Sequence, residues 1–144
     1  MINRNELLVS YSKKFMIHKR MWESEWNRKN TSDLSYAQFM VLYTLDSEGP
    51  KQSKQLVEEL SITSGGITAI SDKLVSLGLI RRTRDVQQDR RAIILDISEE
   101  GQITLQTLKD VRDQTLNAIF SVLNDGEVAF LEQIYDKLIS IRNE

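Results

Sequence analysis

The sequence predicts a mainly α-helical protein with one small β-hairpin. Apolar residues recur at spacings of three and four over most of its 144 residues, as they do along one face of an α-helix. The chain contains a single proline, which favours long uninterrupted helices. Residues 53–97 differ, because two short helical patterns are followed there by an arginine-rich, β-branched segment. This order predicts a winged helix-turn-helix between N-terminal and C-terminal helices.

The helix-turn-helix has recognisable start and stop signals. Ser53 is expected to cap the first helix, residues 61–63 form the turn, and Thr63 is expected to cap the second helix. Gly78 stands where a helix needs a left-handed residue to stop. The buried stripe of the second helix is expected to be Ile67, Ile70, Leu74 and Leu77.

The opposite face of the second helix carries small or hydrogen-bonding residues, so its backbone can lie close to base edges and phosphates. Gly65 and Gly66 are unusual there, because each glycine inside a helix costs about 1 kcal/mol relative to alanine. They indicate either a close approach to a phosphate or a frayed first turn. The whole face consists of Ser64, Gly65, Thr68, Ala69, Ser71, Asp72 and Lys73.

The hairpin is expected to run from Leu79 to Ile97 with its tip at residues 85–88. Five arginines and two aspartates lie between Arg81 and Arg91. An arginine on a projecting hairpin can enter the narrow, electronegative minor groove of DNA. The alternative is a solvated, charged edge strand that prevents aggregation. Directly after a helix-turn-helix, the charge favours DNA.

Seven segments carry a resemblance to a known family, and the resemblance as a whole covers nearly the whole chain. They are Leu34–Gln38, Gln55–Leu60, Ser64–Thr68, Asp72–Leu74, Gly78–Ile80, Asp89–Ala92 and Leu95–Gly101. This pattern resembles the MarR family of bacterial transcription regulators. The most specific part is the Asp-Arg-Arg sequence of the wing at its distance from the Gly-Leu-Ile turn.

The resemblance implies a homodimer that binds a pseudo-palindromic operator, usually as a repressor. It implies that a small, often aromatic acid releases the DNA in many members. It also assigns Arg91 to the minor groove and Asp89 to orienting it, and a carboxylate can hold a guanidinium in this way. The expected DNA-binding residues are Lys51, Ser53, Lys54, Ser64, Gly65, Gly66, Thr68, Ala69, Ser71, Lys73, Arg82, Arg84, Asp89, Arg90 and Arg91.

The charge distribution agrees with this assignment, although the net charge of −2 taken alone argues against DNA. Residues 51–95 contain eight basic and five acidic residues, whereas residues 96–144 contain four basic and ten acidic ones. A basic region that coincides with the helix-turn-helix and wing is the electrostatic footprint of a DNA-binding protein. The acidic region coincides with the helices expected to form a dimer.

A single domain, residues 1–144, is expected, with dimerisation helices at 1–30 and 99–144 and the DNA-binding region at 34–97. The first helix has an aromatic face that needs a large partner surface, either the second subunit with the C-terminal helices or a membrane surface. The core that the rest of the chain offers favours the former. Ser35 with Gln38 is expected to form a capping box before the helix-turn-helix. After the wing, Ser98 is expected to cap one helix and Asn124 with Glu127 the next.

Five residues are candidates for an effector pocket, because aromatic and methionine side chains can hold a small aromatic ligand. Plain core packing is the alternative and is favoured for each of them, and the only histidine of the chain fits a satisfied core position better than a ligand position. The candidates are Tyr11, Phe15, His18, Met40 and Tyr43.

Several functions are disfavoured by what the sequence lacks. With no cysteine and one histidine, metal sensing and thiol chemistry are not expected. No enzyme motif or cofactor motif is present, so an enzyme is not expected. No secretion signal or membrane-length apolar run is present, which predicts a cytoplasmic protein. A winged helix that only contacts other proteins is the main alternative, and the wing arginines argue against it.

Overall fold

The computed structural model describes residues 1–85 and 89–143, with side chains for all of these except residues 85, 89–91 and 143. The predicted hairpin tip at 85–88 therefore lies largely outside the described residues. The elements follow the chain as α1 (Arg4–Lys29), α2 (Tyr36–Glu48), β1 (Lys51–Gln52), α3 (Ser53–Leu60), α4 (Ser64–Ser76), β2 (Ile80–Asp85), β3 (Asp89–Ile97), α5 (Glu99–Ile119), α6 (Asp125–Ile139) and a 3₁₀ turn (Ser140–Asn143). The predicted fold class, mainly helical with a small sheet, is confirmed.

The chain forms two compact units, Met1–Glu25 with Asp113–Glu144 and Trp26–Arg112. Helices α1 and α5 each contribute to both units, and the predicted division into dimerisation helices and a DNA-binding region stays a prediction. The core lies in the second unit, where α2, α3, α4, the sheet and the first part of α5 bury apolar side chains. Its fully buried members include Phe39, Leu42, Leu56, Leu74, Leu95 and Leu105.

The sheet has three antiparallel strands in the order β1-β3-β2. In the hairpin, Ile80 lies opposite Ile97 and Arg82 opposite Leu95, and the register shifts between Arg84 and Asp85. The two-residue strand β1 was not predicted, because a segment this short carries no alternating pattern.

Most of the predicted helix ends are confirmed. Ser35 and Gln38 form a capping box at α2, Asn124 and Glu127 form one at α6, and Thr63 caps α4. Ser98 accepts the backbone N–H of Gly101 at 3.0 Å, as an N-cap does. The prediction for Ser53 is wrong, because Gln52 occupies the cap position and forms a capping box with Gln55.

The predicted buried stripe of α4 needs one correction. Leu77 is 52% exposed, because α4 ends at Ser76 and Gly78, with φ of +74°, turns the chain away. The buried positions of the helix are Ile67, Ser71 and Leu74. The stripe therefore contains a serine that the apolar pattern did not reveal.

The first unit, with most of α1, the end of α5 and α6, leaves many apolar side chains exposed. In α6, no residue is buried. Exposed apolar residues of α1 and α6 include Leu8, Phe15, Ile17, Phe130, Leu138 and Ile139. A surface of this kind is typical of a contact with another molecule.

Candidate DNA interface

The turn between α3 and α4 fixes the direction of the second helix. Ser61 ends α3 in the left-handed region, with φ of +54°, and its N–H donates to the Val57 carbonyl. Ile62 packs against the core, and the Thr63 hydroxyl oxygen accepts the backbone N–H of Gly66 at 2.9 Å. These contacts hold α4 with Ile67 and Leu74 inward and its opposite face in solvent.

The exposed face of α4 presents short side chains. Ser64, Gly65, Thr68, Ala69 and Asp72 are all exposed. The Thr68 hydroxyl donates to the Ser64 carbonyl at 3.1 Å, so its oxygen can still accept a hydrogen bond. A helix with such a surface can lie deep in a major groove and meet base edges.

Ser71 is the exception among the residues predicted for this face. It is 3% exposed, and its hydroxyl donates to the Ile67 carbonyl at 2.6 Å. A serine can be buried in a helix when its hydroxyl is satisfied by the carbonyl four residues earlier. The prediction that Ser71 lies on the exposed face is therefore wrong.

The two glycines of α4 have different surroundings. A Cβ atom at Gly66 would meet Thr63 Oγ1 at 2.9 Å and Ile62 Cγ2 at 3.1 Å, so the capping arrangement itself needs glycine there. A Cβ atom at Gly65 would meet nothing within 4 Å. The fold therefore does not explain Gly65, which favours close approach to DNA.

Replacing Gly65 with alanine is expected to stabilise the fold and weaken DNA binding. Alanine in place of an unhindered helical glycine adds up to about 1 kcal/mol to the free energy of unfolding. The added methyl group faces solvent, where DNA is expected to lie. Thermal unfolding and binding to an operator duplex measure the two effects. An affinity that stays the same or rises would contradict the close approach.

Some predicted phosphate contacts already have partners within the protein. Lys73 Nζ donates to the Asp33 carbonyl at 2.8 Å. Lys51 Nζ lies 3.3 Å from a Glu48 oxygen and 3.6 Å from a Glu59 oxygen, and the hydrogen bond to Glu48 raises the pKa of Lys51. A phosphate would meet two carboxylates beside Lys51, which makes Lys51 a weak candidate for a phosphate contact.

Two of the wing arginines are also paired. Arg81 Nη2 lies 3.2 Å from Asp96 Oδ2, across the hairpin, and Arg82 Nη2 lies 2.7 Å from Asp72 Oδ1 on α4. Arg84 is exposed on β2, and Lys54 is exposed on α3. The side chains of Asp89, Arg90 and Arg91 lie outside the described residues, so their predicted roles stay predictions.

Comparison with known proteins identifies the family. Residues 34–93 match the sequence model of the MarR family. The uncharacterized HTH-type transcriptional regulator YpoP of Bacillus subtilis is 31% identical over 115 residues, which cover 80% of this chain and 81% of YpoP. This chain belongs to the MarR family.

Solved structures of other regulators share the fold of this MarR-family chain. The transcriptional regulator BldR from Sulfolobus solfataricus is 27% identical with a TM-score of 0.86, and the match covers 96% of this chain and 99% of BldR. A mutant of MarR from E. coli, solved with operator DNA, is 21% identical with a TM-score of 0.83 and coverages of 95% and 99%. The MarR-family chain is a DNA-binding transcriptional regulator, and the prediction that it is not an enzyme is confirmed.

Three predicted effector residues of this MarR-family regulator lie in the first unit. The Tyr11 hydroxyl is hydrogen-bonded to the Tyr135 hydroxyl, and this bond raises the pKa of Tyr135 to about 12. The Phe15 ring lies 6.2 Å from the Tyr11 ring. His18 Nε2–H donates to the Ile119 carbonyl at 3.2 Å. A satisfied histidine of this kind is what the core-packing alternative predicts.

The other two, Met40 and Tyr43, lie half-buried in the second unit. Two cations of α5 cover the Tyr43 ring, with Arg112 5.4 Å and Lys109 5.8 Å from its centre. Arg112 also lies 5.7 Å from the centre of the Phe39 ring. Sequence reasoning missed these cations, because their helix is more than sixty residues away along the chain. The prediction that all five residues form one pocket stays a prediction.

Neither a membrane-spanning helix nor a metal-binding cluster is found among the described residues. No helix among them combines the length and the apolar character needed to span a bilayer. Within residues 1–85 and 89–143, no group of three or more His, Cys, Asp and Glu side chains is placed to hold a metal ion.

Proposed function

We propose that this MarR-family regulator is a homodimeric, cytoplasmic repressor that binds a pseudo-palindromic operator and leaves it when a small aromatic effector binds. The observation that carries the proposal is the exposed face of α4, where Ser64, Gly65, Thr68 and Ala69 bring the helix backbone close to the surface. A regulator needs such a face to read base edges.

The proposed mechanism has three parts. Lysines and arginines, among them Lys54 and Arg84, neutralise phosphates and release counterions, which supplies much of the affinity. The exposed face of α4 reads one half-site in the major groove. Arg91, oriented by Asp89, enters the adjacent minor groove and senses its width. In a two-fold symmetric dimer, the two half-sites then lie about one helical turn apart or a multiple of it.

The exposed apolar residues of α1 and α6 support a homodimer. An apolar surface spread over two helices of one unit is unfavourable in water, and a second copy of the chain covers it in the proposed dimer. The first 30 residues contain seven basic and three acidic residues, whereas residues 113–144 contain two basic and six acidic ones. This complementarity favours contact between the start of one chain and the end of the other.

Replacing Leu138 with aspartate is expected to disrupt the dimer. The substitution puts a charge into a desolvated interface and is expected to weaken association by about 2 kcal/mol or more. Leu77→Asp is the control, because Leu77 is 52% and Leu138 49% exposed, and Leu77 lies at the end of α4. Sedimentation velocity distinguishes monomer from dimer. If Leu138→Asp sediments as the wild-type dimer does, the interface lies elsewhere.

The effector is proposed from the aromatic character of Tyr11, Phe15 and Tyr43, together with Met40 and His18. A ligand can release DNA only if it binds the DNA-free conformation more tightly than the DNA-bound one. Titration of the protein–operator complex with a series of phenolic and benzoic acids tests this point. Release by one member supports the proposal, whereas no release across the series contradicts an aromatic effector.

Selection of bound duplexes from a random DNA library tests the DNA-binding proposal as a whole. We expect an enriched inverted repeat at physiological salt with competitor DNA present. Binding without an enriched motif would contradict the operator and indicate an architectural role. No binding by ligand-free protein would favour the protein-contact alternative. Placing the enriched repeat upstream of a reporter gene then distinguishes repression from activation.

A further inference from the structure

Asp72 is the single acidic residue of α4, and it lies on the exposed face of the helix. Its side chain is 60% exposed, on the same helix face as Thr68 and Ala69. Phosphates repel a carboxylate, so an unpaired aspartate on a DNA-facing helix lowers affinity for every sequence. A role that outweighs this cost requires a specific partner.

That partner is Arg82 on β2. Its Nη2 donates to Asp72 Oδ1 at 2.7 Å, the short distance of a charge-assisted hydrogen bond. The bond joins the recognition helix α4, which is proposed to read the major groove, to the wing, which is proposed to reach the minor groove. In the same hairpin, Arg81 pairs instead with Asp96 of the neighbouring strand.

The register of the hairpin explains the difference between the two arginines. Alternate residues of a strand face the same side, so Arg82 shares the face of Ile80, which is 2% exposed. Its cross-strand neighbour Leu95 is fully buried. Arg82 therefore lies on the inner side of the wing, toward α4. It is two residues beyond Ile80, which is about 7 Å along the strand.

We propose that Asp72 is a positioning residue for DNA recognition, because its ion pair with Arg82 holds the wing at a fixed place beside α4. The spacing between the two DNA-reading elements then depends on this pair. Exposed ion pairs add little to the free energy of folding, so the pair is dispensable for the fold. The consequence for DNA rests on the proposed function, whereas the effect on the wing does not.

The first experiment is made without DNA. The chain has no cysteine, so Ala69→Cys, on the exposed face of α4, carries a single spin label in the full-length protein. Paramagnetic broadening of the amide signals of Arg81–Arg84 then reports the distance from α4 to the wing. We expect Asp72→Ala to change this broadening and Asp96→Ala to leave it unchanged. Unchanged broadening in Asp72→Ala would overturn the proposal, even if no operator is found.

The second experiment measures affinity for the operator duplex obtained by selection. Both Asp72→Ala and Asp96→Ala remove one negative charge, which by electrostatics alone raises affinity. We expect Asp96→Ala to bind as well as wild type or better. Asp72→Ala is expected to bind about two- to fivefold more weakly, the range an exposed ion pair supplies. Equal or tighter binding by Asp72→Ala would overturn the proposal.

A double-mutant cycle with Arg82→Ala tests the remaining possible role of Asp72, which is direct contact with a base. A carboxylate can accept a hydrogen bond from a cytosine amino group, so Asp72 could read a base directly. In that case the losses from Asp72→Ala and Arg82→Ala add, and base preference changes at one position under α4. If Asp72 acts through Arg82, the double variant binds no worse than Arg82→Ala alone. Additive losses would overturn the proposal.

Discussion

Replacing Gly101 with alanine is expected to lower the free energy of unfolding by about 3 kcal/mol, the upper range for forcing extra atoms into a packed site. A Cβ atom at this position would lie 2.1 Å from the Leu79 carbonyl oxygen and 2.7 Å from Ile97 Cγ1. Leu79 cannot move easily, because it is 6% exposed and its carbonyl accepts the Ser98 N–H at 3.0 Å. The start of α5 therefore has to shift away from the junction between α4 and β2.

Gly126→Ala is the matched control for this prediction. Gly126 also lies in the first turn of a helix, but a Cβ atom there would meet only Asn124 Oδ1, at 3.4 Å. This substitution is expected to leave stability unchanged or raise it slightly. Thermal unfolding at one protein concentration compares the two variants, and Gly101→Ala is expected to unfold about 10 °C lower than wild type. Equal melting temperatures would show that the junction relaxes without cost.

The helix ends could be predicted because their signals are local. Ser35 with Gln38, and Asn124 with Glu127, each satisfy two backbone groups within four residues, so the pattern is visible in the sequence. Gly78 is similar, since a positive φ at the end of a helix favours glycine whatever surrounds it. The segments that carry the resemblance to the MarR family are likewise short runs of consecutive residues, so they too are visible in the sequence.

The faces of α4 could be predicted only in part. Leu77 looks like the next member of an apolar stripe, but the helix has ended before it. Ser71 looks like a surface residue, but a hydrogen bond to the Ile67 carbonyl satisfies its hydroxyl in the core. Residue type sets the expected face, whereas helix length and local hydrogen bonds set the actual one.

The sequence gives the number of charged residues at the interface, but it does not show which of them form ion pairs with each other. The sequence predicts a surplus of cations around the wing, yet Arg81, Arg82 and Lys51 each have carboxylate partners. Lys51 and Glu48 are only three residues apart, whereas the pairs of Arg81 and Arg82 depend on strand register and on packing of the wing against α4. Long-range packing also determines the requirement for Gly101, which no local pattern indicates.

Replacing Arg91 with alanine is expected to weaken operator binding by about 1–3 kcal/mol without unfolding the protein. The backbone of Arg91 lies in β3, close to the outer end of the wing, where Asp85 and Asp89 are opposite each other. The resemblance assigns its guanidinium to the minor groove, where a narrow, electronegative groove attracts an arginine. Loss of that contact is expected to reduce base preference mainly at the outer positions of each half-site.

Arg81→Ala separates this role from a general effect of positive charge. It removes one positive charge from the same hairpin, but the Arg81 guanidinium is already paired with Asp96. If the wing acts only as a positive surface, both variants weaken binding to all sequences to a similar degree. If Arg91 reads the groove, Arg91→Ala loses more affinity for the operator than for unrelated DNA, and Arg81→Ala does not. Affinities for both DNAs over a range of salt concentrations distinguish the two outcomes, and equal losses would refute the minor-groove role of Arg91.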